Sequence, residues 1–266
     1  MNASETLQQA LLTRIAIRVD RSQRAEFEDK IIEEAPIAML YNGVSHAVMM
    51  ATPIDLEDFA LGFSLSEGIV ENAAQFSFIE IIKTDLGFSL EMAIPQARSD
   101  LLGERRRHLA GASGCGLCGV ESLQAVMRPA PKITRRQSIG IDRITQGIRA
   151  LAKQQPLNNE SGGVHAAGFV HADGLLVRED VGRHNALDKL IGALARQNSD
   201  DGFLVLSSRA SYELVHKAAM ADIGVMVAIS APTSSAVQLA DACGITLICF
   251  ARGEQMNLYT HAGQVI

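Results

Sequence analysis

Two cysteines two residues apart are the residues of this sequence best suited to chemistry. Cys115 and Cys118 lie in the stretch Gly114-Cys115-Gly116-Leu117-Cys118-Gly119, and apolar residues at helical spacing follow them. A thiol at the N-terminal end of a helix faces free amide N–H groups and the positive end of the helix dipole, and both favour the thiolate. Because the thiolate is the nucleophile of cysteine chemistry, the pair is predicted to be reactive.

The residues alone leave three functions open for this pair. A structural zinc half-site would need two further ligands, such as Cys243, Cys249 or a histidine, and no second CxxC follows at finger-like spacing. A thioredoxin-type dithiol would follow an apolar strand, whereas the basic run Arg105-Arg106-Arg107 precedes this pair. A mobile thiol that carries a group between partners fits the glycine-rich loop best.

The composition is typical of a globular protein with aliphatic cores. Of its 266 residues, 47% are hydrophobic and none is tryptophan, and the mean hydropathy is +0.12. The net charge of −6 argues against nucleic acid as a partner, although arginines cluster at 105–107 and 135–136. No secretion signal and no apolar stretch of membrane-spanning length is found, so no membrane partner is expected. With four cysteines, which are interpreted as reduced thiols, the sequence predicts a cytoplasmic location.

The first hundred residues predict a small α+β roll. Asn42-Gly43 separates two alternating stretches, 35–41 and 44–51, and is the strongest short signal for a type I′ hairpin. A helix is expected from Leu56 onward, and a second hairpin over 76–94. No catalytic constellation occurs there, so this part is interpreted as a scaffold and an interface, and its richness in apolar residues is compatible with a homodimer.

The chain is predicted to divide into two domains that are joined by the cysteine segment. Prolines and charges without apolar periodicity mark a linker from Arg128 to Gln137. The expected boundaries are 1–110 for the N-terminal α+β domain, 111–138 for the cysteine loop and linker, and 139–266 for the C-terminal α/β domain. A thiol pair on such a connection could move between partners.

Short apolar runs alternate with helices in the second half, which predicts a sheet of parallel strands covered on both faces. Ligands of such sheets bind outside the carboxyl ends of the strands. The residues near these ends include Arg178, Arg183, Ser208, Arg209 and Arg252. Hydroxyls, guanidinium groups and helix N-termini at one edge suit phosphates or a nucleotide. Asn185 is predicted to cap a helix, and His165 and His184 are open candidates for acid–base groups.

Several stretches carry a family resemblance. They are Gly114–Glu121, Gly163–Ala167, Arg178–Gly192, Ser207–Ser211 and Ser230–Thr233. In these stretches, and in the order of its elements, the chain resembles the formate dehydrogenase accessory sulfurtransferases of the FdhD type. The resemblance covers nearly the whole chain and is densest from residue 111 onward. It implies a three-layer, cytidine-deaminase-like α/β domain at the C-terminal end and a smaller N-terminal α+β domain.

The resemblance also implies a sulfur carrier that acts as a sulfurtransferase. In this family a cysteine desulfurase passes a persulfide to the cysteine that corresponds to Cys115, with Cys118 as its companion. The sulfur then goes to molybdenum bis(molybdopterin guanine dinucleotide), a bound substrate, before that cofactor enters formate dehydrogenase. The family's cofactor-binding stretch corresponds to Phe250, Ala251, Arg252, Gly253, Glu254 and Gln255. No permanent cofactor and no metal ligand set is implied.

Two other functions are compatible with parts of this pattern, namely a cofactor-binding chaperone without sulfur transfer and a dithiol oxidoreductase. The deaminase-like fold also raises hydrolytic deamination, which uses His-x-Glu and Pro-Cys-x-x-Cys motifs. In the corresponding order this chain has Gly182-Arg183-His184-Asn185 and Ser208-Arg209-Ala210-Ser211, and neither contains a cysteine. Deamination is therefore not expected.

Overall fold

The structure is a computed structural model that describes residues 9–111, 129–135, 137–197 and 201–266, with residues 105–111 described by their backbone alone. The predicted thiol pair, Cys115 and Cys118, lies outside the described residues. Within these ranges, no helix has both the length and the apolar character that crossing a bilayer requires.

The N-terminal half forms a four-stranded sheet and a separate two-stranded ribbon. Its elements are β1 (Leu11–Val19), β2 (Arg24–Ile32), β3 (Ala35–Tyr41), β4 (Val44–Ala51), α1 (Leu56–Ser66), β5 (Phe78–Thr84), β6 (Gly87–Ala93) and α2 (Gln96–Gly111). The ribbon pairs β1 with β2 antiparallel, and the sheet has the order β4-β3-β6-β5 with β3 and β6 parallel. One face of the sheet packs on α1. The predicted α+β roll is confirmed.

The hairpin between β3 and β4 shows how the local sequence specifies this roll. Asn42 and Gly43 have φ values of 49° and 76°, both positive as a type I′ turn requires. Along β3, the side chains of Ile37, Met39 and Tyr41 are buried at every second position. The alternation places these side chains against α1, so the turn and the strand pattern specify the same register.

The C-terminal half is a six-stranded mixed sheet with helices on both faces. Its elements are α3 (Ile141–Lys153), α4 (Pro156–Ser161), β7 (His165–His171), β8 (Gly174–Asp180), α5 (Arg183–Gln197), β9 (Gly202–Leu206), α6 (Tyr212–Met220), β10 (Val225–Ala228), α7 (Ser234–Cys243), β11 (Thr246–Arg252) and β12 (Gln255–Leu258). The strand order is β12-β11-β10-β9-β7-β8. β9, β10 and β11 are parallel, whereas β7 is antiparallel to both of its neighbours. The predicted parallel strands are β9, β10 and β11, and the β7–β8 hairpin adds a reversed strand beside them.

Three layers make up this half. Residues of α5, α6 and α7 form a core with one face of the sheet, and residues of α3 form a second core with the other face. β8 runs in the same direction as β9, since both are antiparallel to β7. The C-terminal ends of β8, β9, β10 and β11 therefore share one edge with the N-terminal ends of α5, α6 and α7. We call this the carboxyl edge and the opposite side the amino edge.

The two halves meet where α1 packs against α5, a contact that we call the seam. A Cβ atom on Gly62 would lie 1.7 Å from the carbonyl oxygen of Asp188, and one on Gly192 would lie 1.9 Å from that of Asp58. The two glycines therefore let the helix backbones approach each other closely. The linker also packs on the C-terminal half at the amino edge, where the Ile133 amide donates to the Cys243 carbonyl at 2.9 Å.

The start of α5 differs from its prediction. The helix begins at Arg183, two residues before the predicted cap, so the assignment of Asn185 as the N-cap is wrong. Asn185 is buried, and its Nδ2 donates to the Met50 carbonyl at 2.9 Å and to Asp180 Oδ1 at 3.0 Å. The Asp180 carboxylate also accepts the Gly182 amide at 2.8 Å. Asn185 therefore ties the two halves together and does not cap the helix.

Candidate functional site

Two of the four cysteines lie in the described residues, and both are buried. Cys243 is 3% exposed and Cys249 is 0% exposed, in the core between the sheet and α5–α7. Burial raises the pKa of the Cys249 thiol to about 12 and also raises that of Cys243. Neither is suited to act as a nucleophile or an accessible zinc ligand at neutral pH. The roles predicted for Cys115 and Cys118 stay predictions.

The carboxyl edge brings together most of the predicted anion-binding residues. Arg183 is the first residue of α5, Ser208 and Arg209 follow β9, and Arg252 ends β11. The N-terminal ends of three helices lie at the same edge, and at α7 the Thr233 hydroxyl accepts the Ala236 amide at 3.2 Å. Because free helix amides and guanidinium groups attract negative charge, this edge can bind anions.

A bulge in β11 shapes the end of the edge that contains Phe250 to Gln255. The pairing of β11 with β12 shifts register between Cys249 and Arg252, and Phe250 has a φ of 52°. Positive φ is costly for a bulky residue, and such outliers cluster at functional sites. The bulge leaves Phe250 40% exposed while its neighbour Ala251 is buried. An aromatic side chain is thus presented to solvent beside Arg252.

The turn that follows the bulge is open to solvent. Arg252 is exposed, and its Nε donates to the Ile229 carbonyl at 3.3 Å. Gly253 has a φ of 60°, and both Glu254 and Gln255 are exposed. The nearest basic group to Glu254 is Arg149 Nη2, at 3.8 Å. The Arg252 guanidinium can therefore contact a ligand without breaking an ion pair with a described residue.

The two residues after β9 differ in what they offer a ligand. Ser208 is buried, and its hydroxyl donates to the Arg209 carbonyl at 3.1 Å. Its proton is already engaged, so it is a poorer anion donor than the sequence suggested. Arg209 is exposed, and the described part of the chain gives it no carboxylate within 4.0 Å. Its guanidinium is available for a ligand.

Arg178 lies apart from the other arginines, at the seam. Its Nε and Nη2 donate to Asp58 Oδ2 at 2.9 and 2.7 Å, and Asp55 lies 3.6 Å away. Arg178 lies within β8, two residues before the strand ends, and its side chain bonds to α1, whereas Arg183 follows the strand end. The structure therefore gives Arg178 a bridging position between the halves and does not place it with the edge residues.

A cluster around Arg183 lies between the starts of β7, α5 and α6. His184 Nε2 is 3.5 Å from the Ser211 hydroxyl and 3.8 Å from Glu213 Oε2. Burial, followed by the positive charge of Arg183, lowers the pKa of both His165 and His184. Hydrogen bonding to its own amide at the helix start lowers the pKa of Glu213. Two imidazoles with lowered pKa values, a guanidinium group and a carboxylate thus lie at the same end of the sheet.

Sequence reasoning missed two buried ion clusters at the seam. In the first, Lys189 Nζ lies 2.6 Å from Asp180 Oδ2, and both side chains have 0% exposure. The ammonium group also donates to the Thr52 carbonyl at 2.9 Å, and the Thr52 amide donates to Asp180 at 3.1 Å. The pair thereby joins β8 and α5 of the C-terminal half to the chain between β4 and α1.

The second cluster lies beside a cavity of about 310 Å³ between the halves. Lys217 Nζ contacts Glu67, Ser66 and Asp188 at 2.9, 2.9 and 3.0 Å. Burial alone would lower the pKa of Lys217, but the carboxylates of Asp188 and Glu67 outweigh it and raise the pKa. Lys217 follows Leu214 by three residues, on the buried side of α6, and this spacing is a sequence signal for a buried charge.

Comparisons with known proteins identify the family. The sequence model described as the FdhD/NarQ family matches residues 32–266. A protein of Xanthomonas oryzae pv. oryzae named Sulfur carrier protein FdhD is 49% identical over 264 residues, covering 98% of this chain and 94% of the relative. A protein of the same name from Xanthomonas campestris pv. campestris is 52% identical over 241 residues, covering 89% and 86%.

One solved structure is similar over almost the whole fold. The crystal structure of a candidate formate dehydrogenase accessory protein from Desulfotalea psychrophila has a TM-score of 0.76, with 22% sequence identity, and the match covers 97% of this chain and 100% of that chain. At this identity the likeness supports the fold, and the α/β prediction with a smaller N-terminal part is confirmed. The match over residues 32–266 and the relatives at about half identity show that this chain belongs to the FdhD/NarQ family.

Proposed function

We propose that this protein is a sulfur carrier that accepts sulfur on Cys115 from a cysteine desulfurase and passes it to a molybdenum guanine-dinucleotide cofactor for formate dehydrogenase. The observation that carries this proposal is the identity of 49% over 98% of the chain with a protein named a sulfur carrier. The name of the Desulfotalea protein supports formate dehydrogenase as the enzyme that receives the cofactor. The burial of Cys243 and Cys249 supports the assignment of the reactive thiols to Cys115 and Cys118.

The loading step is a thiol–persulfide exchange. The Cys115 thiolate attacks the terminal sulfur of the desulfurase persulfide, the sulfur–sulfur bond of that persulfide breaks, and the desulfurase cysteine leaves as a thiolate. Cys115 then carries the extra sulfur, and no external oxidant or reductant is consumed. For release as sulfide, the Cys118 thiolate attacks the inner sulfur of the Cys115 persulfide, the sulfur–sulfur bond breaks, and hydrosulfide leaves. A Cys115–Cys118 disulfide forms, so the two thiols supply the two electrons.

The substrate is assigned to the carboxyl edge. Arg209 and Arg252 are exposed and have no described ion-pair partner, which suits the phosphates of a dinucleotide. Phe250 is an exposed aromatic side chain two residues before Arg252, and an aromatic face can stack on a base. In this proposal Arg183 also contributes positive charge, whereas Arg178 holds the halves together.

Mass spectrometry after incubation with a cysteine desulfurase and cysteine tests the carrier function. We expect the peptide that contains Cys115 to gain the mass of one sulfur atom, about 32 Da. Cys115→Ala should abolish the gain and the restoration of formate dehydrogenase activity in a deletion strain. Cys243→Ala, which changes a buried thiol, should retain both. Activity of the Cys115→Ala protein in that strain would exclude the carrier mechanism, and guanine-nucleotide binding without any sulfur uptake would favour the chaperone alternative.

A further inference from the structure

The Nε atom of Arg183 lacks an acceptor among the described residues. This N–H group is buried. Buried donors in folded proteins almost always have a partner, because an unpaired N–H loses its bonds to water without replacement. Arg183 is also the first residue of a helix of 15 residues, so the helix dipole adds positive potential at the same place. Both features indicate that an external acceptor belongs here.

Other donors surround the same point. His165 begins β7, His184 is the second residue of α5, and Ser211 precedes the nine-residue helix α6. His165 pairs with Asp180 across the β7–β8 ladder, three residues before Arg183, and His184 follows Arg183 directly, so all three basic residues lie in one part of the carboxyl edge. Three elements of the C-terminal half thus direct potential donors toward one small region, as anion sites in proteins do.

The carboxylate of Glu213 is the counter-charge of this cluster. It lies 3.8 Å from His184 Nε2, and its side chain is 56% exposed. The carboxylate also accepts hydrogen bonds from its own amide and from the Ser211 hydroxyl, so an anion that takes its place gains the Ser211 donor. Glu213 therefore competes with an anion for the site. Its removal should strengthen anion binding, whereas removal of Arg183 should weaken it.

We propose that Arg183, His165, His184 and Ser211 form a subsite for a phosphate-type oxyanion, separate from the one at Arg252. The proposal deepens the proposed function, on which it rests for the identity of the physiological anion. Neighbouring strands are about 4.8 Å apart, so the three spacings from β7 to β11 separate the two subsites by roughly 14 Å. That separation exceeds the size of one diphosphate group. A substrate with two dinucleotide arms carries two diphosphate groups, one for each subsite.

Binding at this subsite takes up a proton. Without an anion, burial and the charge of Arg183 lower the pKa of His184, and Lys217 acts in the same direction. Glu213 and Glu67 oppose them. An oxyanion adds negative charge beside the imidazole and favours its protonated, donating form. By linkage, the affinity for the anion must then rise as the pH falls.

Calorimetry with inorganic pyrophosphate tests the subsite on the full-length protein. Arg183→Gln should weaken binding by about tenfold or more, because it removes a charge-assisted hydrogen-bond donor. Arg196→Gln makes the same change on the last turn of α5, about 20 Å away, and should bind as the wild type does. Equal affinity of the Arg183→Gln and Arg196→Gln proteins overturns the proposal, as does a wild-type protein that does not bind pyrophosphate at millimolar concentrations.

Two further measurements exclude a purely structural role for the cluster. Glu213→Gln should strengthen pyrophosphate binding severalfold, whereas a structural defect would weaken it. In an NMR titration, saturating sulfate should raise the pKa of the His184 imidazole, and Arg183→Gln should abolish that response. Sulfate does not change its own charge between about pH 5 and pH 8, so the shift reports the histidine alone. An unchanged pKa contradicts the proposal.

The subsite and the carrier function can be refuted separately. Sulfur uptake by Cys115 does not require the subsite, so the mass measurement can succeed while pyrophosphate binding fails. Pyrophosphate binding that depends on Arg183, together with absent sulfur uptake, would keep the subsite and remove the carrier function.

Discussion

Charged residues behave in opposite ways at the seam and at the carboxyl edge. At the seam, Arg178, Lys189 and Lys217 each have a carboxylate partner within 3.0 Å, and the two lysines are buried. At the carboxyl edge, Arg183 and Arg209 have no ion-pair partner in the part of the chain that the structure describes. The presence of a partner, and not the residue type, therefore separates the charges that hold the halves together from those that remain free to bind a ligand.

Lys189→Met should have the largest effect, because it leaves the buried Asp180 carboxylate without its counter-charge. Removing one member of a buried pair costs about 3–5 kcal/mol of the free energy of unfolding. Urea denaturation followed by circular dichroism measures this. Lys30→Met is the matched control, since Lys30 pairs with Glu160 on the surface and such pairs contribute about 0–1 kcal/mol. Similar losses for the two variants would show that the seam pair is no more than a surface pair.

Gly62→Ala tests the close approach of α1 and α5. The added Cβ would lie 1.7 Å from a backbone oxygen, which a side-chain rotation cannot relieve, so we expect a loss of about 3 kcal/mol. Gly263→Ala is the control, since no atom lies within 4 Å of its Cβ position. Thermal unfolding monitored by calorimetry distinguishes the two. If Gly62→Ala left the melting temperature unchanged, the halves could move apart without loss of stability.

The Thr233→Ala variant tests whether a polar group at the carboxyl edge contributes to stability when it has a hydrogen-bond partner. The Thr233 hydroxyl accepts the Ala236 amide, so its removal should cost about 1 kcal/mol of unfolding free energy. Thr233→Ser keeps the acceptor and should cost much less. Chemical denaturation of both variants provides the measurement. If the serine protein lost as much stability as the alanine protein, the cap would not be the cause.

The sequence predicts the elements of this fold best where a turn residue and an alternation agree. Asn42-Gly43 marked a hairpin because both positions need positive φ, and the structure contains it. In contrast, β2 was not predicted, because glutamates and lysine interrupt its apolar pattern and the ribbon is largely exposed on both faces. β12 was missed for a similar reason, being four residues long and mostly exposed. Alternation of apolar residues reflects the burial of side chains, so a strand with few buried side chains does not show it.

The candidate site was predictable in its position but not in its partners. The rule for strand ends places Arg183, Arg209 and Arg252 at one edge from the sequence alone. It also included Arg178, whose partner Asp58 is 120 residues away in the chain. The positive φ of Phe250 was hidden as well, since it arises from a register shift between β11 and β12. Long-range pairing decides these features, and a single sequence does not contain a local signal for them.

The pH dependence of stability should reflect the cluster at the carboxyl edge. The pKa values of His165 and His184 are lower in the folded protein than the ordinary 6.5. Below about pH 6.5 the unfolded chain therefore binds more protons, and stability is lost as the pH falls toward the folded values. His184→Gln should flatten the profile between about pH 7 and pH 5.5 in urea denaturation. A profile as steep as that of the wild type would exclude His184 as a source of this dependence.

Arg209→Gln should have the smallest effect on stability and still impair ligand binding. Arg209 is exposed and unpaired, so its replacement should change the free energy of unfolding by less than about 0.5 kcal/mol. Calorimetry should nevertheless show weaker binding of guanosine diphosphate, because a donor to phosphate is lost. Arg178→Gln should show the reverse, with a loss of stability from its broken bonds to Asp58 and unchanged nucleotide affinity. If the two variants behaved alike, the distinction between paired seam charges and free edge charges would not hold.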